Sequence, residues 1–190
     1  MKKIFVQFAL IFCVVVFLSN CAVVVAGVAG TTAIVTTDSR TSGDVINDNT
    51  IEAKLKLKFT KYDKSNIYVY SYNKIILLTG QVPDEVTREK AEFVVKSTPG
   101  VKKLYDYTEI RLPQSFLSKT NDSYITTKIR TKALNIKNLS SNSFKVVTTN
   151  NVVFLLGIVT PEQGKDIAKI SSSVDGVKKV ITLFIYVTSK

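Results

Sequence analysis

Apolar positions along this chain change their period in a fixed order. Ile51, Leu55 and Phe59 fall at helical spacing behind Asp48 or Asn49, the candidate N-caps. β-Branched and aromatic residues then alternate through Ile67-Tyr68-Val69-Tyr70, and polar Asn73-Lys74 marks a turn before the apolar run Ile75 to Leu78. That run is too apolar for a strand with one wet face and predicts the middle of a sheet. Gly80 ends it, where a missing Cβ permits a bulge or close helix packing. Asp84 and Glu85 then load the first turn of a second helix with negative charge, Gly100 stops that helix, and Val101 to Ile110 predicts a last strand.

The same order is then written again. Asn73 to Val82 returns as Asn150 to Val159, and Thr98 to Leu104 as Val174 to Val180, about 76 residues further on. Ile125, Ile129 and Ala133 predict a helix behind Asn121 or Asp122, and Phe144 to Val147 a strand. Asn150-Asn151 mark a turn, and Val152 to Leu156 a buried strand closed by Gly157. Thr160, Pro161 and Gln163 supply an N-cap, a proline at the first helical position and the third-position partner of a capping box. Gly176 stops that helix before a strand over Val177 to Val187. The fold class is therefore α+β, with the order α-β-β-α-β used twice.

The chain divides into a leader over 1–20, a linker over 21–46, a first domain over 47–113 and a second over 120–190, joined through Leu112 to Lys119. Each domain has roughly 65 to 70 residues, a size at which a lone core is marginal, so the two are expected to dock. Lys2 and Lys3 followed by the apolar stretch Ile4 to Phe17 read as a secretion signal. Leu18-Ser19-Asn20-Cys21 looks like a bacterial lipobox, although Asn20 stands where such motifs usually have Gly, Ala or Ser. On that reading, cleavage precedes Cys21, whose thiol is acylated. The alternative is an uncleaved anchor, because Ile4 to Val35 is long enough to span a bilayer. Gly27, Gly30 and the Thr-rich tail argue instead for a tether.

Composition narrows the chemistry. The chain has no His, which removes the commonest general base and metal ligand together, and no catalytic residue, metal site or cofactor is assigned. Of its two cysteines, Cys13 leaves with the leader and Cys21 carries lipid, so the mature body has no disulfide. Lys2 and Lys3 also leave, and the remaining 24 basic and 15 acidic residues give a formal charge of +9, suited to anionic surfaces. Tyr62, Tyr68, Tyr70 and Tyr72 among lysines could suggest nucleic acid, but secretion separates the chain from it, and the alternating Tyr68, Tyr70 and Tyr72 read as a partly exposed sheet face. Asp84, Glu85 and Glu89 are explained by helix N-terminal charge and lack an accompanying nucleophile.

On the helix that begins near Ser123, Ile125, Ile129 and Ala133 face inward. Tyr124 and Lys128 share a flank, and Arg130 and Lys132 border the apolar stripe. Tyr suits a headgroup boundary because its ring is apolar and its hydroxyl wet. The first copy has Lys54, Lys56 and Lys58 there, but also Glu52 and no aromatic, which favours the second copy as a lipid reader.

Paired glycines in an apolar strand-helix-strand frame, with Gly-Val-Lys-Lys after the second helix, resemble BON domains. The two-copy arrangement after a lipobox is similar to dual-BON outer-membrane lipoproteins. The match is most specific over Asn121 to Arg130 and Lys145 to Asn150, and weakest over residues 22 to 46. Where a member of that family carries Trp, this chain has Tyr124. The resemblance implies two tandem domains, each a three-stranded mixed sheet on two helices, in a non-enzymatic protein anchored on the periplasmic face of a Gram-negative outer membrane. It further implies binding of anionic, phosphatidylglycerol-like phospholipid through Tyr124, Thr127, Lys128, Arg130 and Lys132 of the second domain. Outer-membrane integrity is its implied role and barrel-assembly components its implied protein partners. Gly80, Gly100, Gly157 and Gly176 are its structural glycines.

Because acylation and cleavage both need the thiol, Cys21→Ser should leave the precursor unprocessed in the inner membrane. Normal outer-membrane fractionation of that variant rules the lipobox out.

Overall fold

The computed structural model describes residues 40–111 and 116–188. The leader, Cys21, most of the linker and part of the join lie outside them. The described chain forms α1 (Ser42–Phe59), β1 (Asn66–Tyr72), β2 (Ile75–Val82), α2 (Glu85–Lys96) and β3 (Lys103–Ile110). The second copy follows as α3 (Phe116–Ala133), β4 (Phe144–Thr149), β5 (Val152–Val159), α4 (Pro161–Ser172) and β6 (Lys179–Tyr186). Each copy holds one three-stranded sheet with the apolar strand in the middle, in the orders β1-β2-β3 and β4-β5-β6. The hairpin pair is antiparallel and the crossover pair parallel, so both sheets are mixed.

The first helix of each copy begins earlier than its expected caps. Thr41 caps α1 by accepting from the Asp44 amide, so Ser42 to Ile46 of the segment read as linker are helical. Asp48 and Asp122 lie inside α1 and α3, and both are buried. Asp48 accepts from the backbone amides of Asn73 and Lys74 at 2.6 and 2.7 Å and from the Ser71 hydroxyl at 2.7 Å. Arg40 reaches the same carboxylate at 3.1 Å. Asp122 accepts from the amides of Asn150 and Asn151 at 2.9 and 2.8 Å. Those turn residues all have positive φ, between 51° and 66°, the signature of a type I′ hairpin whose amides face one way. The aspartates are therefore hairpin clamps, not helix caps.

The glycines also sit differently from expectation. Gly80 and Gly157 lie within β2 and β5 and not at their ends. A Cβ on Gly80 would stand 1.8 Å from the Asn66 carbonyl oxygen, and one on Gly157 2.7 Å from that of Ser143, so the start of the neighbouring strand crosses over each glycine. Helix packing is not the reason. The helices α2 and α4 end at C-caps Ser97 and Ser173. Gly100 and Gly176 fall beyond them, in turns closed by Val101 N to Thr98 O and Val177 N to Val174 O, with φ near +90° as a type II turn requires. The capping box of α4 is present, with Thr160 and Gln163 bonded reciprocally.

Each sheet packs one face on its own helices. Ile51, Leu55, Phe59, Ala91 and Val95 cover Val69, Ile76 and Leu78, while Ile125, Ile129, Ala133 and Ile167 cover Val146, Val153 and Leu155. The opposite faces pack on each other: Tyr72 and Leu77 join Val147, Phe154, Leu156 and Leu183 in one buried cluster, with Tyr70 and Tyr105 at its border. The layers thus run helices, sheet, sheet, helices. Burial of each large apolar side chain contributes about 1.5–3 kcal/mol, which two marginal domains obtain only by docking. Of the tyrosines read as a partly exposed sheet face, Tyr68 and Tyr70 are half-buried, with Tyr70 at the border of this interface, and Tyr72 is buried within it. Tyr72 is 2% exposed and donates to the Asn142 carbonyl at 3.0 Å. Burial, with Tyr68, Glu52 and Asp122 nearby, pushes the Tyr70 phenol up to about 12.

Asp122→Ala should leave both turn amides of the β4–β5 hairpin without an acceptor and lower stability by about 2–4 kcal/mol. An unchanged urea midpoint would show that the clamp contributes nothing.

Candidate functional site

The outer face of α3 gathers the residues named from sequence. Its inner positions Ile125, Ile129 and Ala133 are fully buried, which turns Tyr124, Thr127, Lys128 and Thr131 outward. At about 100° per residue, Arg130 and Lys132 fall on opposite flanks of the face centred on Tyr124. Tyr124 is 57% exposed. Lys128 Nζ donates to its hydroxyl at 3.2 Å and lies 5.3 Å from its ring centre. That hydrogen bond raises the Lys128 pKa and keeps the ammonium charged. The Thr127 hydroxyl donates to the Ser123 carbonyl at 2.9 Å, so its proton is spent within the helix while its oxygen remains outward. Arg130 and Lys132 are exposed and have no carboxylate partner among the described residues.

A shallow groove beside this face is lined by Thr127, Arg130, Thr131, Leu134, Ser141 and Phe144. Leu134 is 60% exposed. Sequence reasoning stopped at Lys132 and missed Leu134, which follows the last helical residue and so breaks the periodic pattern. The face as built offers fixed positive charge, an aromatic ring with a wet hydroxyl and an apolar rim, a combination that accommodates an anionic headgroup above acyl chains.

The matching face of α1 is different. Thr50 stands where Tyr124 does, and its hydroxyl bonds back to the Ile46 carbonyl at 2.8 Å. Lys56, the counterpart of Arg130, is held at 2.7 Å by Glu52. In α3 the Glu52 position is Thr126, whose hydroxyl donates to Thr148 at 2.8 Å. Glu52 has a further task across the interface, accepting from the Ser71 amide and from Lys145 Nζ, both at 2.9 Å. Lys145 also donates to the Ser71 carbonyl at 3.2 Å. This clamp joins residues far apart in sequence, and nothing local announces it.

The acidic residues at the start of α2 are structural. Asp84 caps it by accepting from the Thr87 amide at 2.7 Å, hydrogen bonds from the Thr87 hydroxyl and amide lower the Asp84 pKa, and Glu85 pairs with Arg88 at 2.8 Å. Among the described residues no group of His, Cys, Asp or Glu could hold a metal ion. Nor is any helix among them long and apolar enough to cross a membrane.

Burial alone would raise the Glu52 pKa, but hydrogen bonds from Lys56, Ser71 and Lys145 outweigh it and hold the carboxyl below its ordinary value. A depressed folded pKa contributes stability that is complete above the unfolded value, about 4.3, and lost as pH falls below it. The Tm difference between the parent chain and Glu52→Gln should therefore shrink on acidification from pH 7 to below about pH 4. A difference independent of pH excludes the Glu52 charge as the clamp.

Comparison with known proteins gives a consistent picture. The family model described as the BON domain matches residues 47–111 and again 121–188. Over 175 residues the chain is 35% identical to the outer membrane lipoprotein DolP of Haemophilus influenzae, covering 90% of this chain and 91% of the relative. It is 32% identical over 156 residues to a 21 kDa hemolysin of Actinobacillus pleuropneumoniae, covering 79% of each. It is also 32% identical over 144 residues to the osmotically-inducible protein Y of Escherichia coli, covering 73% of this chain and 72% of the relative.

Proposed function

The chain belongs to the BON-domain family as a DolP-like outer-membrane lipoprotein with two such domains, and from that premise we propose that its second domain binds anionic phospholipid and so helps maintain outer-membrane integrity. The observation that carries this reading is the difference between two copies of one helix. On α1, Glu52 holds Lys56 and no aromatic stands at the Thr50 position, whereas α3 has Thr126 in place of Glu52, leaves Arg130 without a carboxylate partner among the described residues and adds the exposed ring of Tyr124.

Magnitudes decide what such a site can do. Each acyl chain on Cys21 contributes about 0.8 kcal/mol per buried CH₂, so lipidation alone keeps the protein on the membrane. Each Lys or Arg near an anionic surface adds about 1 kcal/mol. Lys128, Arg130 and Lys132 together shift the docked population of the second domain by about 3 kcal/mol, roughly 100-fold. The helix then sets orientation and choice of lipid patch, while the anchor sets residence.

A second reading has its own observation. On α2, Phe93 is 71% exposed and Val86 57% exposed, and they line a shallow groove with Tyr62, Glu89, Lys90 and Val94. The repeat places Lys169 and Glu162 at those two positions. This favours a lipid-tethered scaffold whose first domain holds a protein partner, such as a component of the β-barrel assembly machinery. The two readings are compatible in one molecule.

Protein lacking its acyl chains should float with phosphatidylglycerol vesicles in a salt-sensitive manner. The double variant Lys128→Glu, Arg130→Glu should lose that binding by about 30-fold or more, and Tyr124→Ala should weaken it with less dependence on salt. Lys54→Glu, Lys58→Glu is the charge-matched control, because Lys56 is committed to Glu52. Equal binding, or equal loss, in the two double variants removes α3 as a lipid site.

A further inference from the structure

Both sheets finish in a parallel strand whose outer edge is unpaired among the described residues, β3 in one and β6 in the other. Arg111 N donates to Val82 O and Val187 N to Val159 O. Since a strand turns its peptide groups to alternate sides, these bonds leave the amides and carbonyls of Leu104, Asp106, Thr108 and Ile110 pointing away from the first sheet. Those of Val180, Thr182, Phe184 and Tyr186 point away from the second.

The β3 edge is defended. Asp106 Oδ1 accepts from the outward amide of Thr108 at 2.7 Å. Its carboxylate stands near Glu92 and Arg88 of α2. An inward charge and an amide already occupied are devices by which edges resist pairing. The edge of β1 is also covered, by Glu52 on the Ser71 amide and Lys145 on its carbonyl. β4 is the shortest strand.

In β6 the repeat replaces each element of the β3 defence. Thr182 stands for Asp106, Ala168 for Glu92 and Gly164 for Arg88, and no charged residue occurs from Val180 to Tyr186. A Cβ on Gly164 would come within 2.9 Å of the Tyr186 ring and 3.3 Å of Phe184, so the glycine lets both rings settle against α4. The rings meet edge-on at 6.1 Å, and Tyr186 is 55% exposed. Lys178 and Lys179 are exposed at the start of the strand, with no carboxylate partner among the described residues.

The geometry points to the outer edge of β6 as a strand-addition site for an extended segment of a partner protein, apolar at alternate positions and acidic where it passes Lys178 and Lys179. Its backbone bonds to the outward groups of Val180 to Tyr186, and its apolar side chains lie along Phe184 and Tyr186. Alternating amide donors and acceptors call for an extended polypeptide, which lipid does not supply. The formal +9 of the mature chain opposes a second copy as the occupant.

The test uses the full lipidated chain in detergent micelles and a fluorescent peptide of about nine residues, alternating valine and threonine between terminal glutamates. Anisotropy should show binding, and hydrogen exchange should slow at Val180, Thr182, Phe184 and Tyr186. Methylating alternate peptide nitrogens of the probe should weaken binding about tenfold or more, as should Thr182→Asp, which copies the β3 device at an exposed position. Ala168→Glu, on α4, repeats the test should Thr182→Asp fail to fold. Absence of binding, equal binding of the methylated probe, or protection elsewhere in the chain overturns the proposal. A dimer that Thr182→Asp dissociates overturns it too, because the edge then belongs to a second copy.

Discussion

A helix carboxylate bonded to the two amides of a tight hairpin turn governs how each domain is assembled. Asp48 and Asp122 tie α1 to the β1–β2 turn and α3 to the β4–β5 turn, through bonds of 2.6 to 2.9 Å. The type I′ geometry makes this arrangement natural, since it aims consecutive amides at one point. A buried carboxylate is costly unless fully bonded, and buried amides are costly unless accepted, so each satisfies the other's requirement. Because the turn sets hairpin register, the clamp also aligns helix and sheet. Ile51, Leu55 and Phe59, or Ile125, Ile129 and Ala133, then meet the inward side chains of the hairpin.

With the frame held in common, the copies have diverged on their surfaces. Glu52 serves the interface with Lys145, and its counterpart Thr126 bonds to Thr148 within its own domain. That exchange both fastens the two sheets and removes a negative charge from the α3 face. At the opposite edge, Asp106 near Glu92 and Arg88 becomes Thr182, Ala168 and Gly164. The first copy therefore spends Glu52 and Asp106 on internal contacts, while the second has Thr126 and Thr182 in their places.

Periodicity and the internal repeat made the α-β-β-α-β order legible, along with the central strands Ile75 to Leu78 and Val152 to Leu156 and the capping box at Thr160. They also placed Tyr124 and Lys128 side by side. Local reasoning failed where the partner is distant in sequence. Asp48 and Asp122 have the side chain of a good N-cap, and only the hairpin 25 to 29 residues later reveals their use. Tyr70 and Tyr72 alternate as an exposed strand would, but the surface that covers them belongs to the other domain. Gly80 reads as a strand end because its close approach to Asn66 is invisible until the strands are paired. The candidate lipid-binding residues were named from helix periodicity and residue chemistry together with a family resemblance, and the missing carboxylate that distinguishes α3 could be read directly at Thr126.

Back-to-back sheets put the helix pair α1/α2 and the helix pair α3/α4 on outward faces that point in opposite directions. A flat bilayer can meet one of those faces or the other, so the two domains cannot add their affinities on a single surface, and duplication here gives no avidity. Were α3 to lie on the leaflet that holds the acyl anchor, as proposed above, the face bearing Phe93 and Val86 would be turned away from it. On the proposed reading, a tethered molecule of this build is a two-sided adaptor: lipid on one side would fix its pose, and the other side would be held at a set height above the membrane.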